Sequence, residues 1–190
     1  MDLITQLASE LELASDQVTR TVKLFDEGNT LPFIARYRKE VTGGLDEEQL
    51  RRLEERLTYL RNLEARKEEV LRSIEEQGKL TPDLAELIKA AAIRQEVEDY
   101  YRPFRPKRRT RATKAKEQGL ESLAALIWAQ ETATGDPLKL AAAYLQPDLG
   151  VAEPEQALAG AMDIIAEQIA DQAAWRRMIR DFLWESATIA

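Results

Sequence analysis

The chain has 190 residues, 44% of them hydrophobic and 32% charged, and a formal net charge of −7 from 27 Lys+Arg against 34 Asp+Glu. That length buries a sizeable core without staples, as one large domain or two small ones, and the balance is that of a folded chain rather than a disordered one. There is no cysteine and no histidine, which excludes disulfides, thiolate metal sites, Ser-His-Asp and Cys-His nucleophiles and the commonest metal ligand.

The start, "MDLITQLASE", has no apolar run long enough for a signal peptide. No window approaches the ~18 uninterrupted apolar residues of a membrane span. The expected location is cytoplasmic, with no membrane partner. Leu3, Ile4, Leu7 and Leu11 form the apolar side of a first short helix. Ser15 is placed to cap a second, in which Val18, Val22 and Phe25 recur at helical spacing and Gly28 ends the run. Pro32 suits the first turn of a third helix, and Gly43-Gly44 breaks it. Asp46 then caps a run from about Glu47 to Gln77, stopped by Gly78, that would be roughly 45 Å long. Leu50, Leu53, Leu57, Leu60 and Leu63 make one stripe, which lapses at Arg66 and Lys67 and resumes with Val70, Leu71 and Ile74. The lapse favours a spine helix with others packed on it over a free coiled coil.

Thr81-Pro82 starts the next helix, with Leu84, Leu87 and Ile88 expected inward. A helix containing Val97, Tyr100 and Tyr101 follows, ended by Pro103 and Pro106. Thr110 caps a short helix stopped by Gly119, and Leu120, Leu123, Leu126 and Ile127 begin another. Asp136-Pro137 opens a segment leading to Leu140 and Tyr144. Pro154 opens a helix with Leu158, Met162, Ile165 and Ile169 on its expected inner side. Asp171 is placed to cap the last, whose Trp175, Met178, Ile179, Phe182 and Leu183 form an apolar stripe. The expected fold is all-α, a multihelical bundle with a long spine helix and a helix-turn-helix part. Residues 1–78 would carry the helix-turn-helix-type helices and the spine, and residues 79–190 a helical continuation with a basic segment. The bare stripe on the last helix suggests a fragment of a longer protein.

Candidate chemistry is concentrated in one place. The stretch "YYRPFRPKRRTRATKAK", residues 100–116, has no acidic residue and eight basic ones: Arg102, Arg105, Lys107, Arg108, Arg109, Arg111, Lys114 and Lys116. The rest of the chain keeps 19 basic against 34 acidic residues, a net of −15. Lys and Arg neutralise phosphates and release counterions, the main sequence-independent term in nucleic-acid affinity. Tyr100, Tyr101 and Phe104 lie beside them and suit either base stacking or core. The alternative is a basic segment that pairs with the acidic remainder or with an acidic partner. A smaller cluster, Arg36, Arg38 and Lys39, sits on the third helix, and suits either a recognition helix or a solvated helix face. "TGGLDEE" lacks the features of a phosphate loop and reads as a turn. Adjacent carboxylates such as Glu47-Glu48 diverge on a helix. Glu96 and Asp99 share a face, with Arg94, Arg102 or the basic stretch as expected partners. No catalytic set, metal site or cofactor is expected.

The segment "TLPFIARYRKEVTGGLDEEQLRRLEERLTYLRNLEARKEEVLRSI", followed in order by "VEDYYRPFRPKRRTRATKAKEQGLESLA" and "ALAGAMDIIAEQIA", is very similar to the N-terminal region of the bacterial Tex family, the transcription accessory proteins. The resemblance covers essentially the whole chain. It implies a multihelical N-terminal region with a helix-turn-helix part. In the family this precedes an RNase-H-like domain generally regarded as inactive, helix-hairpin-helix elements and a C-terminal OB-fold RNA-binding domain. It implies no enzyme and offers no catalytic or metal residue to carry over. It assigns the main nucleic-acid contacts to the C-terminal domain, outside these residues. The expected function is therefore a helical N-terminal module of a nucleic-acid-binding (RNA or DNA) transcription accessory protein, with the basic stretch as an auxiliary phosphate contact. The alternative is a scaffold or protein-interaction module that does not itself bind nucleic acid. Expected partners are nucleic acid, weakly, the remaining domains of the same protein, and transcription machinery.

Overall fold

Residues 2–106, 109–130 and 136–188 are described by a computed structural model. Among them eleven α-helices form and no strand does, so the chain is all-α. The sole β-type pairing described is an isolated bridge between Gln146 and Val151. The helices fall into two units, residues 1–79 and 80–190.

The first unit is organised on a 30-residue helix. Helices α1 (Leu3–Leu11), α2 (Ser15–Asp26) and α3 (Leu31–Tyr37) pack on α4 (Glu47–Glu76). Asp46 starts α4 as expected: its carboxylate accepts the Gln49 N–H at 2.8 Å, and the Gln49 side chain accepts the Asp46 N–H at 3.0 Å. The core joins Leu7, Val18, Val22, Leu24 and Ile34 to Leu45 and to Leu50, Leu53, Leu57 and Leu60 of α4. The buried line of α4 does not lapse where the sequence suggests. Lys67 occupies the line, buried along its stem, with its ammonium 2.8 Å from Glu64. At the start of α2 the cap residue is Ala14 rather than Ser15. Alanine has no side-chain acceptor, so only half a capping box forms, with Gln17 Oε1 accepting the Ala14 N–H at 3.2 Å. Gly43 and Gly44 both have positive φ and make the turn between α3 and α4.

The second unit comprises α5 (Pro82–Ala90), α6 (Arg94–Tyr101), α7 (Arg111–Glu117), α8 (Glu121–Ala129), α9 (Pro137–Ala141), α10 (Pro154–Asp171) and α11 (Ala173–Ser186). α7, α8 and α9 pack on α10. The inner face of α10 is only half the expected one: Leu158 and Ile165 pack against the core. Met162 and Ile169 are exposed, and the buried residues are Ala157, Ala161 and Ile164. They meet Ala112 and Ala115 of α7, together with Leu120, Leu123 and Ala124, in one core. Small side chains let two helix backbones approach closely, and Gly160 belongs to the same seam. A Cβ at Gly160 would overlap Leu120 Cδ1 and lie 3.3 Å from the Ala115 methyl. Leu87 of α5 is likewise exposed, leaving Ile88 as the buried residue of that helix. Asp171 ends α10 instead of capping α11, and Gln172 precedes α11. α11 buries no residue, and its apolar stripe is open, with Trp184 89% exposed.

Candidate nucleic-acid interface

The basic stretch begins where α6 gives way to a single 3₁₀ turn, Arg102–Phe104, and ends in α7, which Thr110 caps by accepting the Thr113 N–H at 3.0 Å. Three of its cations lie along α10. Asp163, Glu167 and Asp171 recur every four residues there and form one acidic row. Arg111 reaches Asp163 at 3.3 Å, Lys116 reaches Glu167 at 4.0 Å, and Arg102 reaches Asp171 at 3.2 Å. The Thr110 hydroxyl donates to Glu167 at 3.0 Å. Arg105 pairs with Glu98, and Arg109 with Glu117. Lys114 is exposed and has no carboxylate partner among the described residues. Lys107 and Arg108 lie outside the described residues. These are exposed pairs on the cationic side: the Arg111 side chain is 88% exposed and that of Arg109 71%. Such pairs contribute about 0–1 kcal/mol each. Tyr100, Tyr101 and Phe104 are half-buried, and the Arg105 guanidinium lies 5.7 Å from the Tyr101 ring centre.

The second cluster is arranged differently. Arg36, Arg38 and Lys39 are exposed, and none reaches a carboxylate among the described residues. The Arg38 guanidinium instead sits over the Phe33 ring, 5.2 Å from its centre. Of the two predicted basic clusters, one is laid along carboxylates and the other is not.

Sequence reasoning missed an ionic clamp in the second unit. Asp99 is 3% exposed and accepts from Arg176 Nε at 2.8 Å, Arg180 Nη1 at 2.9 Å and Gln95 Nε2 at 3.1 Å. Arg177 pairs with Glu96. Neither acid takes the nearby partners expected for it, Arg94, Arg102 or the basic stretch. Burial pushes the Asp99 carboxyl up, and the hydrogen bonds from Arg176, Arg180 and Gln95 outweigh it, so the group is held below its ordinary range. The only local signal was Arg176 and Arg180 one turn apart on one face of α11. Among the described residues no group of three acidic residues is placed to hold a metal ion, and no helix is long and apolar enough to cross a membrane.

A family model described as the Tex-like protein N-terminal domain matches residues 1–75, and one described as Tex central region-like matches residues 132–190. Protein YhgF of Escherichia coli (strain K12) is 52% identical over 181 residues, which are 95% of this chain and 23% of that protein. Transcriptional accessory protein Tex of Neisseria gonorrhoeae is 47% identical over 189 residues, 100% of this chain and 24% of that protein. A more distant relative, S1 RNA-binding domain-containing protein 1 of Pongo abelii, is 28% identical over 182 residues, 95% of this chain and 18% of that protein. The chain thus spans no more than 24% of the length of these relatives. Two Tex models, matched in order to a continuous all-α chain about half identical to named Tex proteins, place it: the chain belongs to the Tex family, as its N-terminal region.

Proposed function

We propose that the chain is the helical scaffold module of a nucleic-acid-binding transcription accessory protein, and that its basic stretch is first an internal clasp and only secondarily a phosphate contact. The nucleic-acid part rests on the names of relatives, one called a transcriptional accessory protein and another S1 RNA-binding. The observation that carries the clasp is the pairing of Arg102, Arg111 and Lys116 with the acidic row of α10. A row of three carboxylates along one helix repels itself unless cations lie across it, and the stretch supplies them. The auxiliary phosphate reading is favoured by the exposure of Lys114 and of Arg109 and Arg111, whose pairs are weak enough for a phosphate to displace. No catalytic role is proposed. A chain without His or Cys would need converging carboxylates, and the one carboxylate buried among the described residues, Asp99, already serves two arginines.

Replacing Arg102, Arg111 and Lys116 together by Gln separates the two roles. The clasp predicts a melting temperature lower by about 5 °C, from roughly 1–2 kcal/mol of lost pairing. It also predicts a salt dependence of nucleic-acid binding altered by less than about one phosphate equivalent. An unchanged melting temperature with a log–log salt slope smaller by about 2–3 would refute the clasp and make phosphate the primary partner of these cations.

A further inference from the structure

α3 is only partly used in folding. Ile34 is its one buried residue. On the outer side Phe33 and Tyr37, four residues apart, are 36% and 65% exposed, with ring centres 5.4 Å apart and planes tilted by 47°. Helical spacing sets Arg36 beside Phe33, one turn away. Arg38 lies over Phe33, and exposed Lys39 follows. From Gly28 to Gly44 the sequence holds a single carboxylate, Glu40. Elsewhere in the same unit Arg20, Arg51, Arg56 and Arg61 pair with acids, while Arg52 and Arg72 do not among the described residues, so it is the clustering of cations about two rings that sets α3 apart. In a chain with a net charge of −7, three cations without a carboxylate partner beside an exposed Tyr37 ring and a half-covered Phe33 ring suit a ligand that uses both features.

We propose that the outer face of α3, formed by Phe33, Arg36, Tyr37, Arg38 and Lys39, binds single-stranded nucleic acid, with bases stacked on the rings and phosphates met by the cations. The proposal rests on the nucleic-acid reading above and narrows it to a strand form and a place. Rings recognise base faces, and in a duplex those faces are covered by neighbouring base pairs. A recognition helix in a major groove would instead offer hydrogen-bonding side chains to base edges over several turns. α3 has seven residues and projects rings and guanidinium groups. The arginine over Phe33 leaves the less covered Tyr37 as the primary stacking surface. Stacking is tolerant of base identity, so the same face accepts RNA or DNA strands.

The test is fluorescence anisotropy of the full 190-residue chain against a labelled 12-nucleotide oligouridylate, a 12-nucleotide oligothymidylate and a 12-base-pair duplex, from 50 to 200 mM salt. The expected result is at least about fivefold tighter binding of either strand than of the duplex at 50 mM salt, as stacking adds to charge. Tyr37→Ala should weaken strand binding by about 5–30-fold at every salt concentration and leave the salt slope unchanged, whereas Tyr37→Phe should retain affinity. Arg36→Gln, Arg38→Gln and Lys39→Gln together should lower the salt slope by about 2, at roughly 0.7 per single-strand phosphate. Because Tyr37 is mostly exposed, its variants test the face even where Phe33→Ala disturbs folding. Equal affinity for strand and duplex, or an unchanged affinity in Tyr37→Ala, would overturn the proposal and assign the rings to a protein contact. Loss of binding in the Arg102, Arg111 and Lys116 variant with retention in the α3 variants would overturn it while leaving the nucleic-acid reading in place. No binding of any probe at 50 mM salt would overturn both.

Discussion

Replacing Asp99 by Ala should release α11 while the rest of the second unit stays folded. α11 buries none of its residues, so hydrophobic packing holds it only weakly, and its firm attachment to α6 is through Asp99 with Arg176 and Arg180, seconded by Glu96 with Arg177. A hydrogen bond to a charged group contributes about 1.5–3 kcal/mol, and Asp99 makes two to arginine. The penalty for breaking a buried ion pair, about 3–5 kcal/mol, applies only in part. The side chains of Arg176 and Arg180 are 31% and 36% exposed and rehydrate once the acid is gone. The expected loss is therefore about 2–3 kcal/mol, confined to the docking of one helix. Amide hydrogen exchange reads this directly. Exchange across residues 173–186 should accelerate by roughly 30–150-fold, while the amides of α10 facing α7 keep their rates. The emission of Trp175 and Trp184 should change with it. Asp99→Asn, which keeps the shape and loses the charge, should fall between the two. If exchange across α11 in Asp99→Ala matched that of the unaltered chain, the clamp would not be what holds the helix.

Gly160→Ala should destabilise the second unit by about 1–3 kcal/mol, although alanine is the better helix former, because the new methyl overlaps Leu120. Its melting should drop with that of residues 1–79 unchanged, and a stabilised variant would mean that the α7–α10 seam yields. Acid should act through depressed carboxyls: Glu10, hydrogen-bonded by Arg56; Asp26, by Arg61; and Asp99, where burial opposes but the arginines prevail. A folded value below the unfolded one stabilises above the unfolded pKa of about 4 and is lost as pH falls through the folded value. Melting temperature should thus stay level from pH 7 to about 5 and decline below about 4; a decline already between pH 7 and 6 would contradict this, since no histidine titrates there.

Helix boundaries were legible wherever a boundary residue acts locally. Asp46, Thr81, Thr110 and Asp136 each cap the helix expected of them, and Pro154 stands in the first turn of α10. Which face a helix buries was legible where large apolar residues carry it, as along Leu50 to Leu63 of α4. It was misread on α10, because a pattern search weights Met162 and Ile169, whereas close helix packing selects Ala157, Gly160 and Ala161. Lys67 was misread for the related reason that a charged tip hides an apolar stem. The Asp99 clamp joins residues 77 and 81 positions apart, and no local pattern encodes such a distance. The acidic row Asp163, Glu167 and Asp171 was readable in principle, since spacing by four on a helix is a local signal. Read together with the basic stretch, it points to partners for Arg102, Arg111 and Lys116.

The seam between α7 and α10 has a consequence for how this region is dissected. Its small apolar positions, Ala112, Ala115, Ala157 and Ala161, are already alanine, and Gly160 is smaller still. A systematic replacement of residues by alanine would pass over most of the tightest helix pair in the unit without a single reading. Its one reading in the seam would come from Gly160, and the four alanines around it would go untested. Here sensitivity runs toward larger side chains, so a scan with valine or leucine is the one that maps it.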